Sequence, residues 1–148
     1  MNFSKRSRYG IRALVDLAVH AQDTCVQLSD IASRNDISVK YLEQIFTALR
    51  KAGVIRSMKG PQGGYLLADS PENIRIADVV AALDGSYLLE EEEIVPGKNG
   101  EATAAVIQSM LIEPMNKMVD QFLRELTLKN LTDSLEEYNG CHQHMYYI

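Results

Sequence analysis

Apolar residues in the first third of the chain recur with the period of a helix. Ile11, Leu14, Val15 and Ala18 share one face and Leu17 and Ala21 widen it, so the spacing predicts a helix over residues 4–21. A polar stretch at residues 23–27 leads to a short second helix, with Leu28, Ile31 and Ala32 facing inward and Ser29 as its expected N-cap. Asn35 and Asp36 interrupt that pattern, and both types tolerate left-handed backbone better than other non-glycine residues. Ile37 follows as a buried anchor, and Ser38 is the expected N-cap of a third helix over about residues 39–52. This helix is two-faced, with Leu42, Ile45, Phe46 and Leu49 on an apolar side and Lys40, Glu43, Gln44 and Thr47 on a polar one. Gly53 stands where a left-handed residue ends a helix. Two helices joined by a tight turn, the second with a mixed hydrogen-bonding face, form a helix-turn-helix.

The period then changes. A β-branched start at Val54 and Ile55, the turn Lys59-Gly60-Pro61-Gln62-Gly63-Gly64, and the run Tyr65-Leu66-Leu67 predict a β-hairpin, which after a helix-turn-helix is a wing. A further short helix is expected over residues 76–83, ending before Gly85. Residues 86–100 lose periodicity, with glutamate at each of positions 90 to 93 and Pro96-Gly97 beyond, and read as a solvated, partly disordered acidic loop. A long helix over about residues 101–126 carries Ile107, Met110, Leu111, Met115, Met118, Val119 and Phe122, a band wider than one small core needs and therefore a dimerisation surface. Pro114 is expected to kink it or to mark a fresh helix start. Thr127 is the expected cap of a last helix through Leu135, with a tail from Asn139 onward. The resulting fold class is mainly α with a small β-hairpin wing. Its parts are a winged helix-turn-helix over residues 1–85, the acidic loop over 86–100, and a dimerisation helix, short last helix and tail over 101–148.

Charge changes the picture more than composition does. An apolar fraction of 46% and a charged fraction of 24% suit an ordinary globular protein. The net charge of −5 conceals a division: residues 1–65 hold ten bases against five acids, and residues 66–148 hold five against fifteen. A polyanion is attracted to the first part and repelled by the second. The opening Met1-Asn2-Phe3-Ser4-Lys5-Arg6 lacks the apolar core of a signal peptide and no 18-residue apolar run occurs, so a cytoplasmic protein is expected. Cys25 and Cys141 make no disulfide framework and read as reduced thiols.

The candidate chemistry is recognition of double-stranded DNA. Ser38, Lys40, Tyr41, Glu43 and Gln44 are candidates for the major groove. Glutamine pairs two-fold with adenine, lysine reaches guanine O6 and N7 or a phosphate, and glutamate accepts from the cytosine amino group. Tyr41 has a second reading, because an aromatic ring there packs inward. Ser4, Lys5, Arg6 and Arg8 read as phosphate contacts or as a merely solubilising basic end. Lys59, Gly60, Gln62 and Gly63 read as wing contacts, the glycines also serving the turn itself. The Gly-rich run is not a nucleotide loop, since it leads into a strand and lacks the Gly-Lys-Ser/Thr ending. Cys141, His142 and His144 suit zinc chemically, but their spacing does not converge on one ion, so no metal site is expected. No nucleophile–base–orienter set is visible, and the chain is not read as an enzyme.

Three stretches carry a resemblance: Ser7-Arg8-Tyr9-Gly10, Ser38-Val39-Lys40-Tyr41-Leu42-Glu43-Gln44, and Lys59-Gly60-Pro61-Gln62-Gly63-Gly64-Tyr65-Leu66-Leu67. In this order they resemble the Rrf2 family of winged helix-turn-helix regulators, over essentially the whole chain. The resemblance implies a homodimer whose long helix crosses to the partner subunit. Many members sense iron–sulfur clusters or nitric oxide through three cysteines in the loop after the short fourth helix, where this chain has glutamates and no cysteine. A cluster needs thiolate ligands, typically about four. The chain is thus similar to the cluster-free, CymR-like branch, and no cofactor is expected. That branch works with a cysteine synthase, which makes Tyr147 and Ile148 candidates for a partner-binding tail, the alternative being that the tail packs on its own dimer. Together these readings predict a repressor that binds a pseudo-palindromic operator as a dimer. Two alternatives stay open, a winged-helix protein-interaction module and a thiol- or metal-based sensor.

Overall fold

The computed structural model describes residues 2–146. Helix α1 (Lys5–His20) opens on Ser4, whose hydroxyl accepts the Ser7 N–H at 3.3 Å. Helix α2 (Leu28–Asn35) begins one residue before its expected cap, so Ser29 lies inside the first turn and Gln27 takes the cap position. The cause is Val26, whose N–H and C=O pair with Tyr65 at 2.9 and 2.8 Å and end the extended segment just ahead of the helix. Asp36 closes α2 in the left-handed region (φ 53°), and Ile37 is buried behind it. Helix α3 (Val39–Lys51) is capped by Ser38, which accepts the Tyr41 N–H at 3.2 Å.

Strands β1 (Ile55–Met58) and β2 (Gly64–Leu67) pair antiparallel with Ile55 opposite Leu67, and the bridge at Val26 adds a third short edge. Gly64 is there for space: a Cβ at this position would lie 2.5 Å from the Val26 carbonyl oxygen. Leu14, Leu17, Ile31, Leu42, Ile45, Phe46 and Leu49 are fully buried, and Phe46 meets the Tyr65 ring edge-on at 5.0 Å. The wing is thereby packed onto the same core that holds α3.

Helix α4 (Ile76–Asp84) crosses α1, and the chain then runs without regular structure to α5 (Glu101–Ile107). A π-helical turn (Gln108–Ile112) joins α5 to α6 (Glu113–Glu125). It is the local answer to Pro114, which has no N–H and whose ring crowds the preceding turn. The Glu113 N–H reaches back to the Gln108 carbonyl, and the α-helix resumes with the proline in its first turn. Helix α7 (Leu128–Tyr146) corrects the expected short helix and tail: it runs through Gly140 instead of stopping at Leu135. A single helical glycine costs only about 1 kcal/mol relative to alanine, and the Tyr138–His142 ring stack at 4.3 Å spans that turn. Thr127 does cap it, accepting the Asn130 N–H at 3.2 Å while Asn130 Oδ1 accepts the Thr127 N–H at 2.9 Å. Leu128 is fully buried in the core of the winged helix-turn-helix, and the α4 and α7 starts are stitched together by Ile76 N–H to Leu126 O and Leu128 N–H to Ile74 O, both 2.9 Å. Among the described residues, no helix is long and apolar enough to cross a membrane.

Candidate nucleic-acid interface

Helix α3 buries Leu42, Ile45, Phe46 and Leu49 and exposes Lys40, Glu43, Gln44 and Thr47. Lys40, Gln44, Thr47 and Lys51 are spaced four, three and four residues apart, so they line one stripe down the exposed side. Lys51 is not evident from the sequence pattern because it sits at the helix end, past the run of alternating faces. The Thr47 hydroxyl donates to the Glu43 carbonyl at 2.7 Å, so its methyl is the part left for a base edge. Ser38 is exposed, but its hydroxyl already accepts the Tyr41 N–H. Tyr41 is half-buried and meets Tyr9 edge-on at 5.9 Å, which is the inward packing its second reading anticipates.

The wing tip presents Lys59, Gly60 and Gln62 to solvent. Gly63 serves the turn, one of its two expected roles: its N–H is bonded to the Gly60 carbonyl at 2.9 Å, and a Cβ would stand 2.2 Å from the Met58 carbonyl oxygen. Gly63 therefore shapes the turn, and its amide is already engaged. Arg50 Nη1 donates to the Ser57 hydroxyl at 3.4 Å, tying the end of α3 to the wing.

The start of α1 carries a network that no sequence pattern signals. Asp84, at the end of α4, accepts from the Ser4 N–H at 3.0 Å, the Ser7 hydroxyl at 2.7 Å and the Ser4 hydroxyl. Burial of its carboxyl pushes its pKa up, but these hydrogen bonds and the nearby Arg6 outweigh it and hold the group below the usual aspartate value. Ser4 is thus committed internally, which removes its hydroxyl from the phosphate contacts. Arg6 is half-buried, its Nε shielded from solvent and without a partner among the described residues. Lys5 and Arg8 remain exposed, with the Arg8 guanidinium 5.4 Å from the Phe3 ring centre. A second brace joins α1 to the helix-turn-helix: Asp16 receives two bonds from Arg34, at 2.7 and 2.9 Å, and one from Asn35 at 3.1 Å. Neither Asp84 nor Asp16 has a periodicity signal, because each acts across long sequence separations.

The loop after α4 is fastened along the long helix. Asn116 bonds both the N–H and C=O of Leu89, at 2.7 and 3.1 Å, and Gln108 accepts the Glu92 N–H at 2.8 Å. Buried Tyr87 donates to Asp120 at 2.5 Å. The expectation of a partly disordered segment is thereby corrected for residues 87–92, although the four glutamate side chains are exposed. These residues do not fit an iron–sulfur cluster. The loop offers no thiolate, Cys25 sits between α1 and α2, Cys141 lies on α7, and no group of three His, Cys, Asp or Glu converges among the described residues. His142 stacks on Tyr138 instead of turning toward Cys141 as a co-ligand.

The outer side of α6 and of the π-helical turn is apolar and open. Met110 is 74% exposed, Met118 72% and Phe122 65%, with Leu111 and Met115 exposed beside them. Ile107 and Val119 are half-buried, and Val119 packs on a second small cluster around Ile76, Val80 and Tyr87. An apolar groove of about 690 Å³ runs past Phe3, Ile11, Met118, Phe122 and Leu131. Tyr147 and Ile148, the candidate partner tail, lie outside the described residues.

Known proteins share both the sequence and this arrangement. The Rrf2 family profile, whose description is iron-dependent transcriptional regulator, matches residues 3–134. The HTH-type transcriptional regulator IscR of Yersinia enterocolitica is 35% identical over 135 residues, covering 90% of this chain and 80% of that one. Among solved structures, CymR, the global cysteine regulator of B. subtilis, superposes with a TM-score of 0.75 at 28% identity, covering 90% of this chain and 98% of that one. IscR of T. potens does so with a TM-score of 0.72 at 33% identity, covering 93% and 90%. With its winged helix-turn-helix, its exposed polar stripe on α3 and a family match over residues 3–134, the chain belongs to the Rrf2 family of transcriptional regulators.

Proposed function

We propose that this DNA-binding regulator is a dimeric repressor that reads a pseudo-palindromic operator with Lys40, Glu43 and Gln44, supported by Lys51, by Lys5 and Arg8, and by Lys59 and Gln62 of the wing. The observation that carries this reading is the exposed stripe on α3, cut off from the core by four buried apolar residues and flanked by a basic helix start and a wing. Two such helices, one per protomer, enter successive major grooves and cover promoter DNA. The apolar outer face of α6 is the contact between protomers in this reading. Two finer parts are added to the proposal: control of sulfur metabolism, which rests on likeness to CymR, the global cysteine regulator of B. subtilis, and a cysteine synthase partner engaged through Tyr147 and Ile148, which rests on the resemblance to the CymR-like branch. A binding assay with purified cysteine synthase tests that part separately.

The central test is selection of duplexes from a random library by the wild-type protein and by Gln44→Ala. The variant is expected to lose preference at one base pair per half-site, a cost on the order of 1–3 kcal/mol there, while keeping its preference elsewhere. An unchanged selected motif removes Gln44 from the readout.

A further inference from the structure

Asp84 ends α4 immediately before Gly85 (φ 77°), where the chain turns away from the helix. Its carboxylate reaches eighty residues back to the start of α1, accepting the Ser4 N–H at 3.0 Å, the Ser7 hydroxyl at 2.7 Å and the Ser4 hydroxyl. Ser7 is fully buried while Ser4 and Asp84 are half-buried, so the joint lies at the edge of the contact between the two helices. A carboxylate suits the positive end of a sixteen-residue helix. Its negative charge beside that end disfavours a DNA phosphate there. The groups of this helix open to a phosphate are the side chains of Lys5 in the first turn and Arg8 one turn further, both exposed. Side chains on a helix deliver charge to a fixed point only if the helix start is itself fixed. Gly10 packs against Leu83 of α4, where a Cβ would stand only 2.4 Å from Leu83 Cδ1, so the joint sits beside a tight helix crossing.

We propose that Asp84 is a positioning residue for DNA binding. It clamps the basic start of α1 to α4, so that Lys5 and Arg8 reach the DNA backbone in register with the recognition helix. The inference rests on the proposed role of Lys5 and Arg8 as phosphate-binding groups.

The experiment measures binding of the full chain to a library-selected duplex and to an unrelated duplex, across a salt series, for wild type, Asp84→Asn and the pair Lys5→Gln/Arg8→Gln. Thermal unfolding is recorded alongside. Asp84→Asn is expected to weaken both duplexes by the same factor. The slope of log affinity against log salt becomes shallower by about 0.9 for each phosphate that is no longer neutralised, about eightfold in affinity at 0.1 M salt. The selected motif stays the same. A merely structural role lowers the folded fraction and leaves that slope unchanged. If Asp84→Asn does not fold, Ser7→Ala removes one of the three bonds and is expected to move the slope in the same direction. A folded Asp84→Asn or Ser7→Ala protein with the wild-type slope overturns the inference. If the Lys5→Gln/Arg8→Gln pair itself keeps the wild-type slope, the phosphate-binding role of α1 fails, and the inference fails with it.

Discussion

Single residues in this protein do their work at places where backbone meets backbone. Gly64 combines φ 148° with a Cβ position 2.5 Å from the Val26 carbonyl oxygen, whereas Gly60, at φ 112°, faces open space. Alanine at Gly60 adds only conformational strain, about 1–3 kcal/mol. At Gly64 it adds that strain and also forces apart the Val26–Tyr65 bridge. Urea denaturation is expected to show Gly64→Ala as the more damaging of the two, and equal losses would mean that the bridge carries no stability. Asp84 permits a second prediction at this scale. Its folded pKa lies below the ordinary value, so its contribution is present above the unfolded carboxyl range near about pH 4 and fades as pH falls through the folded value. Asp84→Asn should therefore be less stable than wild type at neutral pH, with the gap closing in acid. A gap that is constant from pH 7 to pH 3 would contradict the hydrogen-bonded carboxylate.

At the scale of elements, what is legible in the sequence follows from local rules. The third helix announces both its faces and its Ser38 cap, because burial of Leu42, Ile45, Phe46 and Leu49 enforces the 3.6-residue period. The wing is legible from its turn residues. The cap of α2 shifts from its expected place because Val26 is held by Tyr65, thirty-nine positions away, and no local pattern encodes that bridge. The extent of α7 exceeds expectation because Gly140 is a breaker by propensity but lies in a helix whose other turns carry it. In the site itself, the exposed α3 residues are readable, while the internal commitments of Ser4, Tyr41 and Gly63 depend on partners distant in sequence or hidden in the turn. The reciprocal Thr127–Asn130 cap offers a check on α7: Thr127→Ala is expected to cost about 1 kcal/mol in chemical denaturation. A neutral effect would show that the Leu128 burial alone sets the helix start.

For the whole molecule, the division of charge and the open face of α6 point in one direction. The basic half carries the polar stripe and the wing, and the acidic half carries the apolar surface. Large exposed apolar residues at such density mark an interaction surface. Phe122→Glu and Met118→Glu, at residues 65% and 72% exposed, leave the core of the single chain untouched. Each is expected to shift the protein to monomer in sedimentation at micromolar concentration and to abolish operator binding. A wild-type protein that sediments as a monomer under those conditions would remove the dimer from the proposal.

The path of Leu128 bears on where the chain can be divided. This side chain comes from the far end of the chain, yet it is sealed into the core of the DNA-reading part, between hydrogen bonds that join residues 74–76 to 126–128. A gene segment ending at residue 85 would encode every residue proposed to meet DNA and still leave a hole where Leu128 belongs. The winged helix-turn-helix is therefore not closed by residues 1–85 alone. Its core is completed by the start of α7, so a segment cut at residue 85 is expected to be less stable than the full chain, with the deficit read in chemical denaturation.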